Sequence, residues 1–591
     1  MTLDQILAVG ILGCALCLFV WGRFRYDLVA FAALVAAVLI GLVPAREAFL
    51  GFGHPAVITV GTVLIISQGL SNSGAVEWLA GKLIPDTKND LVFIAVFCGV
   101  AATLSGFMNN VGALALLMPV AIQAAARSGR SPALILMPLS FASILGGLTT
   151  LIGTPPNIII ASYRARERGE SFAMFDFTPV GALTAIAGVL FVAAIGWRLI
   201  PKDRLKRKKD QEVFDIEGYV AEAKVPKDSE WIGQTLREVE AAIDAHGAEV
   251  VGLIRDDEKI RLDRRRKIAK GDLLVIEAQP DSMAKVAADL HVDLVSGGKP
   301  IDDLTSDQVA LVEAVVTPGS MLNGQTPKEI QFRRRFRVSL LAISRQGLPS
   351  RTRIRDFKFQ SGDVVLLHGD ADNFPGVIKR MGALPLAERD LNISPPSQAG
   401  LAAGLFGLAI LVTALGLTSA PVAFGAAIVG YILTSIISLE DAYGAIDWPI
   451  IVLLAALIPI GGALEATGAT KLFAQAIVDL SGGLGPVAIL IVVMIATMTL
   501  SDIINNAATA VVMAPISVSI AKQLNANPDA FLMAVAIGAS CAFLTPIGHQ
   551  NNTLVMGPGG YRFGDYWRVG LPLEVLIVAI SVPLLLVFFP L

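Results

Sequence analysis

The chain has 591 residues, 54% of them hydrophobic and 16% charged, with 47 Lys and Arg against 50 Asp and Glu. Of these charges 64 (32 basic, 32 acidic) fall between 201 and 397, leaving 33 for the other 394 residues. So few cannot solvate two globules of about 200 residues each. A soluble enzyme, a disordered regulator and a nucleic-acid binder are thereby excluded, and the composition fits two membrane blocks around a water-soluble insert.

The first apolar run, 5–20, follows Asp4 rather than a basic stretch, and no small-residue cleavage pattern comes after it, so a retained span is expected. Segments of bilayer length follow at 27–44, 55–70, 90–126, 132–160 and 177–198. Beyond the insert they resume at 398–416, 420–437, 447–464, 484–522, 530–556 and 570–590. Cys14, Cys17, Cys98 and Cys541 all lie in apolar stretches and are expected as small packing residues.

The two blocks repeat one another. Leu104-Ser105-Gly106-Phe107-Met108-Asn109-Asn110 returns as Leu500-Ser501-Asp502-Ile503-Ile504-Asn505-Asn506, 396 residues later, and the same offset carries Pro119 onto Pro515 and Pro132 onto Pro528. The offset is 394 upstream (Pro55 and Pro449) and 389 downstream (Asp176-Phe177 and Asp565-Tyr566). In each copy the Asn pair interrupts the fourth segment, which reads as a re-entrant hairpin. The fifth is broken at Gly153-Thr154-Pro155-Pro156 and at Thr545-Pro546-Ile547-Gly548. Such breaks need protein or water around them in a bilayer. With a hairpin that does not cross, each copy crosses five times, and the odd count inverts the second copy. The fold class expected is a polytopic α-helical membrane protein of two inverted repeats, 1–200 and 398–591, each with five transmembrane helices and one re-entrant hairpin.

The basic run Arg198, Lys202, Arg204, Lys206, Arg207, Lys208, Lys209 places the insert in the cytoplasm and the N-terminus outside. Arg164, Arg166 and Arg168 then fall outside, against the rule. The insert is itself duplicated: Glu222, Ser229, Gly233, Gly271 and Asp272 recur as Glu313, Ser320, Gly324, Gly362 and Asp363, at an offset of 91. Short apolar runs ending in Gly-Asp turns predict two α+β modules, 201–300 and 301–385, followed by a linker at 386–397.

A helix interrupted at mid-membrane presents free N–H groups and the positive end of its dipole to an anion. Its orphan carbonyls, with Ser, Thr and Asn oxygens, can cage a hard cation. Each copy supplies the parts: Ser105, Asn109, Asn110, Gly153 and Thr154, then Ser501, Asn505, Asn506 and the break from Thr545 to Gly548. Two half-sites related by a pseudo-twofold axis would hold one anion between two cations. The competing reading is interhelical hydrogen-bond glue, equally open to any single Ser or Thr here; the paired recurrence favours ligands. Asp502 answers Gly106 and His549 answers Thr154, so only the second copy carries ionisable groups, candidates for proton coupling. Glu465, at the end of its span, is expected at the interface. No Walker lysine appears, so direct ATP drive is not expected.

At Met108-Asn109-Asn110-Val111 with Gly146 to Asn157, and at Ile504 to Thr509 with Phe543 to Gly548, the sequence resembles the divalent-anion:sodium symporter family. That family sits within a wider ion-transporter superfamily holding arsenite pumps and sodium/proton antiporters. The insert resembles two tandem potassium-uptake regulator C-terminal (TrkA-C, or RCK-C) modules, on Pro318-Gly319-Ser320, Gly324 and Gly362-Asp363. The resemblance implies a homodimeric permease of the bacterial inner membrane working by elevator-like alternating access. It implies sodium held at Ser105, Asn110 and Gly153 and at Ser501, Asn506, Thr545 and Gly548. It implies substrate at the tip triplets Asn109-Asn110-Val111 and Asn505-Asn506-Ala507, and at Thr154. Dicarboxylate members carry Ser-Asn-Thr at those tips; without the hydroxyls, a compact oxyanion such as sulfate is favoured over a dicarboxylate. An arsenite exporter, a sodium/proton antiporter and a gated channel are the competing readings. The insert could bind a nucleotide, dimerise the protein or sense an ion.

Overall fold

A computed structural model describes residues 1–21, 24–74, 87, 89–205, 398–480 and 485–591 of the apolar blocks. Of the insert it describes 220–226, 229, 231–239, 249–255, 258–260, 265–277, 293–294, 309–317, 319–345, 348–349, 357–370 and 374–387. Lys206 to Lys209, Pro318 and most of the linker lie outside the described residues. The chain forms two compact units, Met1–Arg207 with Asp390–Leu591, and Lys208–Arg389.

The first unit is helical. Among the described residues its α-helices of seven or more residues are, before the insert, α1 (Leu3–Trp21), α2 (Tyr26–Leu39), α3 (Pro55–Asn72), α4 (Asp90–Ser105), α5 (Asn110–Arg127), α6 (Leu136–Gly146), α7 (Pro155–Arg168) and α8 (Thr178–Ala194). After the insert come α9 (Ala399–Ala414), α10 (Ala420–Leu433), α11 (Trp448–Ala466), α12 (Ala469–Leu480), α13 (Pro486–Ser501), α14 (Asn506–Gln523), α15 (Pro528–Ser540), α16 (Gln550–Met556) and α17 (Tyr566–Phe588). Among the described residues five helices are long and apolar enough to cross a membrane: Leu3–Trp21, Pro55–Asn72, Pro132–Thr149, Trp448–Ala466 and Phe563–Phe588. Proline opens α3, α7, α13 and α15, where its missing N–H costs nothing and its fixed φ suits the first turn. The expected fourth segments each divide into two helices, at 106–109 and 502–505. The fifth segments divide at 147–154 and 541–549.

The blocks exchange partners: α2 packs on α11, α10 packs on α3, and α8 meets α17. Helix α17 has 23 residues, about 35 Å at 1.5 Å per residue. Just before its start Asp565 pairs with Arg204 at 3.0 Å, and the Arg204 carbonyl accepts from Ser131 Oγ at 3.0 Å. Ser131 adjoins the Arg130–Asp90 pair, 2.7 Å, that ties together the base of the α4–α5 hairpin. Just past the end of α17 the Pro590 carbonyl accepts from Asn527 Nδ2 at 3.0 Å, at the base of the α13–α14 hairpin. The two hairpin bases therefore lie at opposite ends of α17. At the second base Asp529 pairs with both Arg164 and Arg168 at 3.1 Å, so two of the three clustered arginines share one buried carboxylate within the protein.

Cys98 and Cys541 are buried as expected, whereas Cys14 and Cys17 are exposed. The expectation of packing fails for this pair because α1 is a peripheral helix that buries only Ala8, Leu12 and Ala15. Cys14 and Cys17 stand on its other face, where a small apolar side chain suits lipid as well as protein. Glu465 is half-buried and accepts from the Tyr163 hydroxyl at 3.2 Å.

Among the described residues the second unit holds two five-stranded antiparallel sheets. The first, from β1 (Val220–Lys224), β2 (Glu249–Arg255), β3 (Glu258–Ile260), β4 (Leu273–Glu277) and β5 (Asp293–Leu294), has the order β3-β2-β4-β1-β5. The second, from β6 (Val309–Val316), β7 (Val338–Arg345), β8 (Leu348–Pro349), β9 (Val364–Asp370) and β10 (Ala383–Ala387), has the order β10-β6-β9-β7-β8. Each Gly-Asp turn uses a left-handed glycine, Gly271 (φ 86°) or Gly362 (φ 88°), which needs the missing Cβ. The following Asp272 and Asp363 are buried and grip Arg255 and Arg345 bidentately, at 2.6–2.8 Å.

Candidate functional site

Both hairpin tips are built alike. Asn109 Oδ1 caps α5 by accepting the Val111 N–H at 3.2 Å, and Asn505 Oδ1 caps α14 by accepting the Ala507 N–H at 2.9 Å. The Val111 and Ala507 amides are thereby engaged. Asn109 also lines a pocket with Val60, Val63, Ile152, Gly153 and Pro155.

The facing breaks are fastened by matching bonds. Asn157 Nδ2 donates to the carbonyls of Gly147 (3.2 Å) and Thr150 (2.8 Å), and Asn552 Nδ2 donates to those of Ala542 (2.9 Å) and Thr545 (3.2 Å), each position 395 residues on. The Thr150 hydroxyl donates to the Gly106 carbonyl; the Thr545 hydroxyl donates to that of Asp502. Interrupted backbone in an apolar surround needs such partners. Thr545 Oγ1 also accepts from the N–H of Ile547 (3.2 Å) and Gly548 (3.1 Å), which places Thr545 and Gly548 in one turn against the second hairpin.

At the first tip Asn110 is buried, and one atom of its amide lies 2.6 Å from Ser105 Oγ, 3.1 Å from the Gly153 carbonyl oxygen and 3.3 Å from that of Ser143. The hydrogen bonds are satisfied with the Asn110 NH2 group in that position; turned over, Asn110 Oδ1 would complete a set of four oxygens with Ser105 Oγ and the Gly153 and Ser143 carbonyls. That is the donor set of a hard monovalent cation. Among the described residues no three His, Cys, Asp or Glu side chains come together for a transition metal. Ser105, Asn110 and Gly153, three positions singled out in the sequence, are brought into one cluster. The second tip differs. Ser501 Oγ donates to the Ala539 carbonyl at 2.5 Å, and Asn506 Oδ1 turns back to the Ala507 N–H at 2.8 Å.

The halves meet through His549 and Asn551. His549 Nε2 is 3.3 Å from the other end of the Asn110 amide, and Asn551 Nδ2 donates to the Asn110 carbonyl (3.1 Å) and to Ser143 Oγ (2.6 Å). Ser140 Oγ donates to Asn552 Oδ1 at 2.7 Å. Thr154 Oγ1 and Asn551 Oδ1 are buried without a hydrogen-bond partner, a costly state that a bound polar group would relieve.

Asp502 is 3% exposed. Its Oδ1 accepts the Leu544 N–H at 2.9 Å while its Oδ2 has no donor. The neighbouring Phe543 N–H donates to Glu574 Oε1 of α17 at 3.3 Å, so two buried carboxyls hold consecutive amides. Sequence reasoning missed Ser143, Asn551 and Glu574. For Glu574 a signal existed, a lone carboxylate inside an apolar span.

The citrate transporter (CitMHS) family matches residues 16–521 and 481–591. The chain belongs to this family. Similar members include a transporter of Synechocystis, 31% identical over 98% of this chain and 96% of that protein, and the transporter YfbS of Escherichia coli, 31% identical over 99% of both. The chain is also 21% identical to sodium/sulfate cotransporter 1 of Chlamydomonas reinhardtii, over 91% of this chain and 84% of that one. Family and relatives are transporters, not enzymes. The protein is accordingly a helical integral-membrane transporter of that family.

Proposed function

We propose that the protein is a sodium-coupled symporter for a small divalent oxyanion, sulfate above all. The observation that carries this is the convergence of Ser105 Oγ, the Ser143 and Gly153 carbonyl oxygens and the Asn110 amide at the first tip, directly bonded to the second break. A chloride- or phosphate-like anion would find no fixed cation among these groups, so the anion's charge must be offset by ions that travel with it. Thr154 Oγ1 offers a free hydroxyl beside the cluster. The Chlamydomonas relative is named for sodium and sulfate, and the tips lack the hydroxyl that follows Asn in dicarboxylate carriers.

Hairpin bases at opposite ends of α17 support two inverted repeats, 1–200 and 398–591, moving past one another in alternating access. The ion pairs on Asp529 make external arginines compatible with an insert on the cytoplasmic side of a bacterial inner membrane. The matching sheets and Arg–Asp clamps support a pair of TrkA-C-like regulatory modules, and the assembly is read as a homodimer.

The test is uptake of labelled sulfate by proteoliposomes. An inward sodium gradient should drive it, and Asn110→Ala should lower it about a hundredfold. No uptake of sulfate, thiosulfate or succinate under a sodium or a proton gradient would discard the symporter. A second reading, proton in place of sodium, draws on Asp502 beside Glu574. It requires uptake driven by a proton gradient without sodium, lost in Asp502→Asn.

A further inference from the structure

The hydrogen bonds around His549 leave few choices. Its Nδ1 accepts the Asn551 N–H at 3.1 Å, capping α16. A ring nitrogen that accepts carries no proton, so the imidazole is the neutral Nε2–H form and Nε2 is a donor. The Asn110 amide atom 3.3 Å from Nε2 must then be Oδ1. The opposite atom is therefore Nδ2, which lies 2.6–3.3 Å from Ser105 Oγ, Gly153 O and Ser143 O and donates among them. In this arrangement the NH2 group occupies the centre that a cation would take.

A cation among those oxygens requires the reverse amide. Asn110 Oδ1 would turn to the ion, and Nδ2 would turn to His549, setting two donors against each other at the 3.3 Å contact. Relief comes only if His549 moves its proton from Nε2 to Nδ1, which frees Nε2 to accept but ends the bond from the Asn551 N–H. Asn551 is the residue that holds the Asn110 carbonyl and the Ser143 hydroxyl. The change would thus reach both sides of the contact between the halves.

We propose that His549 is a positioning residue that couples cation occupancy at the Asn110 cluster to the start of α16 in the opposite half, through a neutral tautomer exchange. No charge changes on the ring. The cluster is closed by the Asn110 NH2 group when the ion is absent and opened by amide reversal when it binds, at the expense of the α16 cap. This deepens the sodium reading and rests on it. It also explains why the position holding Thr154 in the first half holds a group with two switchable nitrogens in the second.

The test uses the full-length protein in detergent at fixed pH, with 15N-labelled histidine assigned by His549→Gln. Replacing choline chloride by sodium chloride should exchange the Nδ1 and Nε2 shifts of His549, reporting the tautomer directly. In parallel, His549→Asn keeps a cap acceptor for the Asn551 N–H but is too short to reach Asn110. Freed from the cost of the cap, it should bind 22Na+ about fivefold tighter. Sodium that binds with the His549 shifts unmoved, or with equal affinity in His549→Asn, overturns the coupling and leaves the symporter intact. No 22Na+ binding to the wild type removes the sodium reading and this coupling with it.

Discussion

At the tip of the first hairpin Asn110 is buried, its amide wedged among Ser105, Ser143, Gly153 and His549; at the tip of the second, Asn506 is half-buried and bonded to the adjacent Ala507 N–H. There the polar weight falls on Asp502 and Glu574, which answer Gly106 and Ala185 of the first half. What the two tips share is everything that satisfies broken backbone: the caps Asn109 and Asn505, the clamps Asn157 and Asn552, the hydroxyls Thr150 and Thr545. A bilayer imposes that requirement equally on both halves. Cargo does not, and the groups that could touch cargo have diverged.

The largest effect expected is on the shared part. A Cβ at Gly181 would stand 2.0 Å from the Leu148 carbonyl oxygen, and one at Gly570 would stand 2.3 Å from that of Phe543. Backbone cannot yield at such distances. Gly181→Ala and Gly570→Ala should each cost about 4 kcal/mol or more, seen as loss of a monodisperse peak on detergent size exclusion. Tolerance in one half alone would break the claim that both carry the same backbone constraint.

Next come the diverged tips. Asn110→Ala removes a buried amide with four neighbours, whereas Asn506→Ala removes a group bonded locally. Sulfate uptake should fall about a hundredfold in the first and about tenfold in the second, a gap of about 1.4 kcal/mol. Equal losses would mean that the second tip closes around Asn506 during the cycle, and the contrast between the tips would belong to one conformation only.

Much of this was legible in the sequence because the fastening residues are chemically constrained. A short amide such as Asn can donate twice to the carbonyls of a break and recurs 395 residues on, and Gly, where a Cβ would stand 2.0–2.3 Å from a carbonyl oxygen, recurs 389 residues on. The strands of the insert were readable for a similar reason, since each left-handed turn demands Gly271 or Gly362. Ser143 and Asn551 were not legible. A serine on an apolar helix has the same local signature whether it bonds its own helix or a site 408 residues away. The exposure of Cys14 and Cys17 was equally hidden, because apolar segments facing lipid and facing protein have the same composition. That Asp502 and Glu574 hold consecutive amides needed the third dimension outright.

The smallest effect sharpens the contrast most. Two buried carboxyls on consecutive amides, Phe543 and Leu544, repel if both are ionised and are cheapest to hold when they share one proton. Glu574→Gln keeps an oxygen for the Phe543 N–H and replaces the second carboxyl with a neutral amide that can donate. Its melting temperature in detergent should hold or rise. Glu574→Ala strands the Phe543 N–H and leaves Asp502 facing an empty space, a loss of about 2 kcal/mol. If Gln and Ala are equally destabilising, the carboxyls do not act as a pair. The second half would then differ from the first by one buried acid at its tip, and Asp502 alone would have to account for any proton the carrier moves.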